Sequence, residues 1–370
     1  MSSFYDNLPS ELWINHILPT LPVKTLLRFR SVCKLWRNTI DDLRFVSEHL
    51  TLSTNNVEKN QVIAIEMLRP GEKLICRLRV VNKNTLRKEA DLFEQTECGF
   101  KGSCNGLFLV ICYDCKLRPS TVKLWNPSIR KSLILPPCPL LDDFHLHSYV
   151  KYIFGFRPSR NDYVVFAFRE GMPMEFSVAV YTLSDNLWNI RDYKQGLSRH
   201  NLFMLSCEDQ FVYRDGVLHW FGKDPHLISF DFELEEFSYL ELPDVSQASI
   251  TDHTFRYLFV LGESLALFSI SSKWSSIWVL KNKLWNLWFT GTKWFAGFYY
   301  ILKNPFVATR VFVENGGDIT LVFGKAIYKI MSDEIQELNG SLNSQYLILD
   351  NYMESLVLHK GCQGRVIYSL

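Results

Sequence analysis

The chain has 370 residues, 40 basic and 39 acidic, giving a formal net charge of +1. That balance calls for neither nucleic acid nor an anionic membrane as partner. With 47% hydrophobic and 21% charged residues the composition is that of a folded protein, and the length allows two or three domains. Nine cysteines, an odd number, are scattered from Cys33 to Cys362, and the opening MSSFYDNLPS has neither a basic flank nor an apolar core. Both features point to reduced thiols in the cytosol or nucleus. The longest apolar runs, such as Tyr257 to Ile270 with Gly262-Glu263 inside it, fall short of the roughly 18 residues of a membrane span, so a soluble protein is expected.

Residues 8–50 carry helical patterns. Pro9 suits a first helical turn, Leu12, Ile14, Ile17 and Leu18 recur at helical spacing, and Pro19 ends the run. Pro22 opens a second predicted helix in which Leu26, Phe29, Val32, Cys33, Trp36 and Ile40 form one stripe. Asp41-Asp42 can cap a third, through Leu43, Phe45 and Val46. Three helices in so short a stretch bury their apolar surface poorly, so some of it should meet a partner or the rest of the chain.

From residue 51 the texture becomes β-like, and the domain boundary is placed near residue 50. Thr51 to Thr54, Val62 to Ile65 and Lys73 to Val81 read as strands, and polar residues 82–95 as an exposed connection. Beyond Gly99, alternating strands and polar turns repeat: Leu107 to Cys112, Val122 to Trp125, Tyr152 to Phe156, Tyr163 to Phe168, and on to Gly324 to Ile330. Trp188, Phe237 and Trp274 take comparable places in three copies, spaced 49 and 37 residues apart. Several strands per unit at such a period point to propeller blades, with a β-sandwich of variable hairpins as the alternative.

Two resemblances follow from these residues. Leu8-Pro9, Glu11-Leu12, Ile17-Leu18, Leu21-Pro22-Val23-Lys24, Leu26-Leu27-Arg28-Phe29-Arg30, Val32-Cys33-Lys34, Trp36, Phe45 and His49-Leu50 closely resemble the plant F-box. The segment from Leu12 to Leu21-Pro22 is one residue longer than the family pattern, and Pro19 stands where a helix-compatible residue is usual. Gly102-Ser103-Cys104-Asn105-Gly106-Leu107, Leu124-Trp125-Asn126-Pro127-Ser128, Phe154-Gly155-Phe156, Asp162-Tyr163, Trp188 and Asp215-Gly216 resemble the plant F-box-associated domain of the kelch-like type 1, without the glycine doublets of a standard kelch repeat. The fold expected is therefore α+β multidomain: a three-helix F-box over 1–50, then a large all-β, propeller-like domain over 51–370.

Chemistry-bearing motifs are weak. Gly102 to Gly106 has the outline of a nucleophile elbow around Cys104, but strand-like residues follow where a helix is needed. Cys112 and Cys115 form a C-x-x-C with Cys98 and Cys104 upstream and His145 and His147 downstream, short of the paired spacing of a zinc site. Gly317 to Lys325 ends in Gly-Lys but its spacing is too long for a P-loop, and Ala326 replaces the Ser or Thr that holds magnesium. Asp142-Asp143 and Glu235-Glu236 point to opposite faces if on strands. Lys24, Arg28, Arg30, Lys34 and Arg37 give the second helix a basic face, read as solvated or as a rim around an interface.

The F-box resemblance implies a substrate-recognition subunit of a Skp–cullin–F-box ubiquitin ligase, with no catalytic residue, metal or cofactor of its own. Its partners would be a Skp-type adaptor, through it a cullin and a RING subunit, and a protein substrate. The adaptor-docking residues expected are Leu8, Pro9, Leu12, Ile17, Leu18, Leu21, Pro22, Leu26, Val32, Cys33 and Trp36. Some of these must instead hold the helices together. Substrate contacts are expected on the long segments Pro139 to Lys151 and Gln195 to Gln210. An F-box scaffold outside a ligase, and an enzyme on a propeller, are the other readings.

Overall fold

The computed structural model describes residues 9–55, 61–68, 75–82, 87–96, 98–112, 121–141, 150–170, 176–191, 211–221, 226–243, 255–261, 263–271, 274–291, 309–313, 319–323, 326–330, 335–337, 346–351, 353–358 and 367–369, with 309–351 as backbone alone. Pro9 leads into α1 (Ser10–Leu12), after which the helix widens into a π-helical turn over Trp13–Ile17 and tightens to a 3-10 turn over Leu18–Thr20. A π turn is how a helix absorbs an extra residue, and it falls in the segment that is one residue longer than the family pattern. Pro19 sits in the first positions of the 3-10 turn, where a backbone N–H has no helical partner to lose.

The single stripe expected from Leu26 to Ile40 is instead two helices, α2 (Val23–Phe29) and α3 (Lys34–Ile40). Between them the Ser31 hydroxyl donates to the Arg28 carbonyl at 2.6 Å, and Cys33, in extended conformation, accepts from the Trp36 N–H at 3.4 Å. Side chains that bond to nearby backbone end one helix and start the next. Then α4 runs over Leu43–Asn55, so Thr51 to Thr54 are its last turn rather than a strand.

The β domain has five four-stranded sheets and one of five strands among the described residues. Blade 1 pairs β1 (Gln61–Leu68), β2 (Ile75–Asn82) and β3 (Lys88–Thr96) with the late strand β24 (Tyr346–Asn351), in the order β24-β1-β2-β3. Blade 2 is β4 (Cys98–Cys104), β5 (Leu107–Cys112), β6 (Thr121–Asn126) and β7 (Lys131–Ile134), with β25 (Ile367–Ser369) added outside β7. Blade 3 is β8 (Val150–Arg157), β9 (Asp162–Glu170), β10 (Phe176–Thr182) and β11 (Leu187–Arg191). Blade 4 is β12 (Val212–Arg214), β13 (Val217–Phe221), β14 (His226–Asp231) and β15 (Glu236–Glu241). Blade 5 is β16 (Phe255–Leu261), β17 (Ser264–Ile270), β18 (Ser275–Lys281) and β19 (Leu284–Gly291), and blade 6 is β20 (Thr309–Val313), β21 (Ile319–Phe323), β22 (Ala326–Ile330) and β23 (Ile335–Glu337).

Each blade packs on the next, and β20 and β21 of blade 6 meet β24 of blade 1, closing the ring. Apolar layers fill the gaps: Ile63, Leu78 and Trp125 between blades 1 and 2, Leu124, Val165 and Tyr181 between 2 and 3, Phe166, Trp220 and Phe230 between 3 and 4. The expected exposed connection at 82–95 is mostly the outer strand β3. Its polar residues belong to an edge, where Glu94 and Asp91 pair with Arg77 and Arg79 of β2 at 2.6 and 2.8 Å.

A further correction concerns the repeat. Trp188 and Phe237 are each the second residue of a fourth strand, and the equivalent in blade 5 is Trp285, not Trp274, which precedes a third strand. The spacing is then 49 and 48 residues. The two tryptophans do the same work: Trp188 Nε1 donates to the Pro136 carbonyl after the last strand of the preceding blade (2.8 Å), and Trp285 Nε1 to Glu241 at the end of β15 (3.0 Å).

The helical module is seated on blade 2 by the segment 353–358, which follows β24. Leu356 joins Leu18, Val23, Leu26, Ile40 and Phe45 in the module's core, while Leu358 belongs to the layer between blades 2 and 3. Asn126, fully buried, donates to the Ser355 and Val357 carbonyls at 2.9 and 2.7 Å, and the Ser355 N–H donates to the Ser128 hydroxyl. Gly106 completes the seat: φ of 76° follows from its tight turn with Asn105, and a Cβ there would lie 2.7 Å from the Met353 carbonyl oxygen. Two outcomes are expected. Leu356→Ala costs about 2–5 kcal/mol by denaturant melts, and Gly106→Ala lowers stability although it adds apolar area.

Candidate adaptor-docking face of the helical module

Core and surface divide the expected docking residues. Leu18 and Leu26 have no exposure and, with Val23, Ile40 and Phe45, hold the helices together. His49 fixes α4 to the turn before α2 through Nε2 and the Leu21 carbonyl, 2.9 Å apart. Leu21 and Trp36 are half-buried against that core, and Ile17 is half-buried in the π turn. Pro9, Leu12, Pro22, Val32 and Cys33 are exposed, whereas Leu8 lies outside the described residues.

Trp36 is better described as a hinge of packing than as free surface. Its ring centroid is 5.4 Å from Trp13 and 5.0 Å from Phe29, so it joins the first helical stretch to α2 and α3. Cys33 is occupied as the cap of α3. The sequence pattern missed two candidates, Leu35 and Leu43, at 49% and 73% exposure; Val32 stands at 61% and Leu12 at 40%. Leu35 follows Lys34 at the start of α3, off the apolar stripe, and only the break at residues 30–33 shows that this turn faces solvent.

Charge frames this surface. Arg30 makes a two-pronged pair with Asp41, at 2.6 and 2.8 Å, which ties the end of α2 to the end of α3. Lys24, Arg28, Lys34 and Arg37 remain exposed around the apolar positions. On the opposite side, Lys131 of blade 2 has its ammonium pKa lowered by burial and by the neighbouring Arg30 charge. Glu354 closes the seat: its Oε2 accepts from the Val23 N–H at 3.0 Å, so a carboxylate 331 residues away caps α2, which has no side-chain cap of its own.

The motifs weighed for chemistry do not assemble. Cys104 ends β4 and is followed by the two-residue turn Asn105-Gly106 into β5, so no helix follows as a nucleophile elbow requires. Cys115, Asp142-Asp143, His145, His147 and Gly317 lie outside the described residues. Among the described residues no three His, Cys, Asp or Glu side chains are grouped to hold a metal. Glu235 belongs to a turn, at φ 57°, and pairs with Arg157.

The division between core and surface makes a direct expectation. Leu18→Ala and Leu26→Ala each cost about 2–5 kcal/mol of stability. Val32→Ser and Leu35→Ser stay within roughly 0.5 kcal/mol of the parent, as ordinary surface changes do. Urea melts of the four variants followed by circular dichroism measure this.

Comparison with known proteins agrees with this architecture. Residues 6–48 match the F-box domain family, and residues 54–358 match the F-box associated beta propeller domain. An F-box protein of Arabidopsis thaliana is 26% identical over 283 residues, covering 75% of this chain and 86% of its own length. An F-box/kelch-repeat protein of the same plant is 28% identical over 252 residues, or 64% of this chain and 65% of that protein. The F-box protein CPR1, also from Arabidopsis thaliana, is 24% identical over 96% of this chain and 90% of its own length. The chain belongs to the F-box proteins that carry an F-box-associated β-propeller domain.

Proposed function

We propose that this protein is the substrate-recognition subunit of a Skp–cullin–F-box ubiquitin ligase. The helical module binds a Skp-type adaptor, which links it to a cullin and a RING subunit, and the propeller binds the protein to be ubiquitylated. No residue of this chain performs the transfer. The protein acts by proximity, raising the effective concentration of a substrate lysine beside the charged conjugating enzyme. The proposed setting is the cytosol or nucleus.

One observation carries the reading: the module is fixed to one end of the propeller. In a four-stranded meander the first and third connections lie at one end of a sheet, and the second connection and the link to the next sheet lie at the other. The seat uses the first and third connections of blade 2, at Gly106 and at Asn126 to Ser128. Strands β7 and β8, and likewise β11 and β12, are joined at the other end. Residues 142–149 and 195–210 of the segments expected to meet substrate lie outside the described residues; the strand ends that flank them, Ile134 and Val150, Arg191 and Val212, are at the end away from the helices. Adaptor and substrate then bind without competing for space.

Co-purification with a recombinant Skp-type adaptor tests the first half. The parent chain is expected to form a 1:1 complex, and the combined Val32→Asp and Leu35→Asp change to weaken it at least about tenfold, roughly 1.4 kcal/mol, while thermal unfolding is unchanged. Equal affinity of parent and variant would remove the docking assignment. Failure of the folded parent to bind any such adaptor would remove the ligase reading.

A further inference from the structure

We propose that Cys112 and Cys98 form a redox-modifiable pair: a peroxide oxidises Cys112, and Cys98 then closes a disulfide between β4 and β5. Cys98 opens β4, Cys112 ends β5, and the two are directly opposite in the antiparallel register. Directly opposed residues have Cα atoms about 4.5–5.5 Å apart, inside the span a disulfide bridges. Their sulfurs are 2.7 Å apart, with the Cys98 thiol donating.

The two thiols differ in access and in protonation. Cys112 is half-buried while Cys98 has no exposure, so a small oxidant in solution reaches Cys112 first. The hydrogen bond from Cys98, and then the Lys123 ammonium on β6, hold Cys112 below an ordinary thiol and favour its thiolate. The same hydrogen bond, with burial, pushes Cys98 up and keeps it a thiol. Cys76 on β2 packs in the same layer but is buried and raised to about 12, so it is unreactive in the first step. Reactive thiolate and resolving thiol thus occupy adjacent strands.

The chemistry balances with hydrogen peroxide as the oxidant. The Cys112 thiolate attacks one peroxide oxygen, an S–O bond forms, the O–O bond breaks, and the departing hydroxide takes a proton to become water. Sulfur loses two electrons and peroxide gains them, leaving a sulfenic acid. With the negative charge on Cys112 gone, Cys98 sulfur attacks it. The S–S bond forms, the S–O bond breaks, and the hydroxyl leaves as water with the Cys98 proton. A dithiol reductant reverses the result by exchange.

The pair sits at the end of the β4–β5 hairpin opposite Asn105-Gly106, hence at the end of blade 2 away from the helical seat. Oxidation would staple the open end of this hairpin. It marks the propeller and leaves the module's core untouched.

The test uses the full chain with no variant required. Reduced protein is treated with about one equivalent of hydrogen peroxide, free thiols are blocked with N-ethylmaleimide, and non-reduced peptides are mapped by mass spectrometry. A linked peptide pair containing Cys98 and Cys112, two hydrogens lighter than its parts and abolished by reductant, is expected. The rate of its formation should rise with pH and level off below the range in which an ordinary thiol ionises, and Lys123→Gln should move that rise to higher pH. In Cys98→Ser, a sulfenic acid at Cys112 should be trapped by dimedone. Recovery of Cys112 fully alkylated, or linked to Cys76 or another cysteine in place of Cys98, would overturn the proposal.

Discussion

Six residues, Met353 to Leu358, hold the two parts of this protein in one arrangement. Leu356 fills the helical core, Leu358 fills a gap between two blades, Asn126 grips the backbone between them, and Glu354 caps α2. The physical logic is economical. A helical module of this size buries its apolar surface poorly on its own, and it takes a leucine from the far end of the chain into its core. The carbonyls of Ser355 and Val357, buried by this packing, are satisfied from the propeller side by Asn126. The same passage closes the propeller, because β24 just before it completes blade 1 and β25 after it adds to blade 2.

Placement follows from this seat. The chain enters β1 and leaves β24 at the same end of blade 1, as their pairing of Val62 with Asn351 shows. That end has no hairpin connecting β24 to β1; the helical module and the return segment stand there instead. Exposed Val32, Leu35 and Leu43 are thus carried on a body whose orientation relative to the propeller is fixed by packing rather than left to a linker. A receptor that works by proximity depends on such a constraint, since a substrate lysine is presented only over the distances its scaffold allows.

Local chemistry was well written in the sequence, and distant chemistry was not. Hairpin turns such as Asn105-Gly106 and Asp215-Gly216 announce themselves because few residues accept positive φ. Most strands follow from alternation, because successive side chains of a strand face opposite sides of the sheet. The helix break at Ser31 to Cys33 was hidden because Val32, Cys33 and Trp36 keep helical spacing across it. The equivalence of Trp285 with Trp188 is hidden in the sequence, since the repeat is defined by strand position and the turn before each tryptophan differs. Asn126 was recognisable as part of a family motif, but its partners are 229 and 231 residues away, so its role as the clamp could not be read. Burial within the module was half legible: apolar spacing selected Leu18 and Leu26, which belong to the core, together with Val32, which is exposed.

Hydrogen–deuterium exchange of the intact chain tests the central claim, that residues 353–358 make the helical module and the propeller one body. Amides of α2 and α4 should be strongly protected in the parent and should exchange much faster in Leu356→Asp, while β9 and β13, far from the seat, keep their protection. Equal protection of α2 and α4 in both proteins would contradict the account, because the module would then be shown to hold itself together without the return segment.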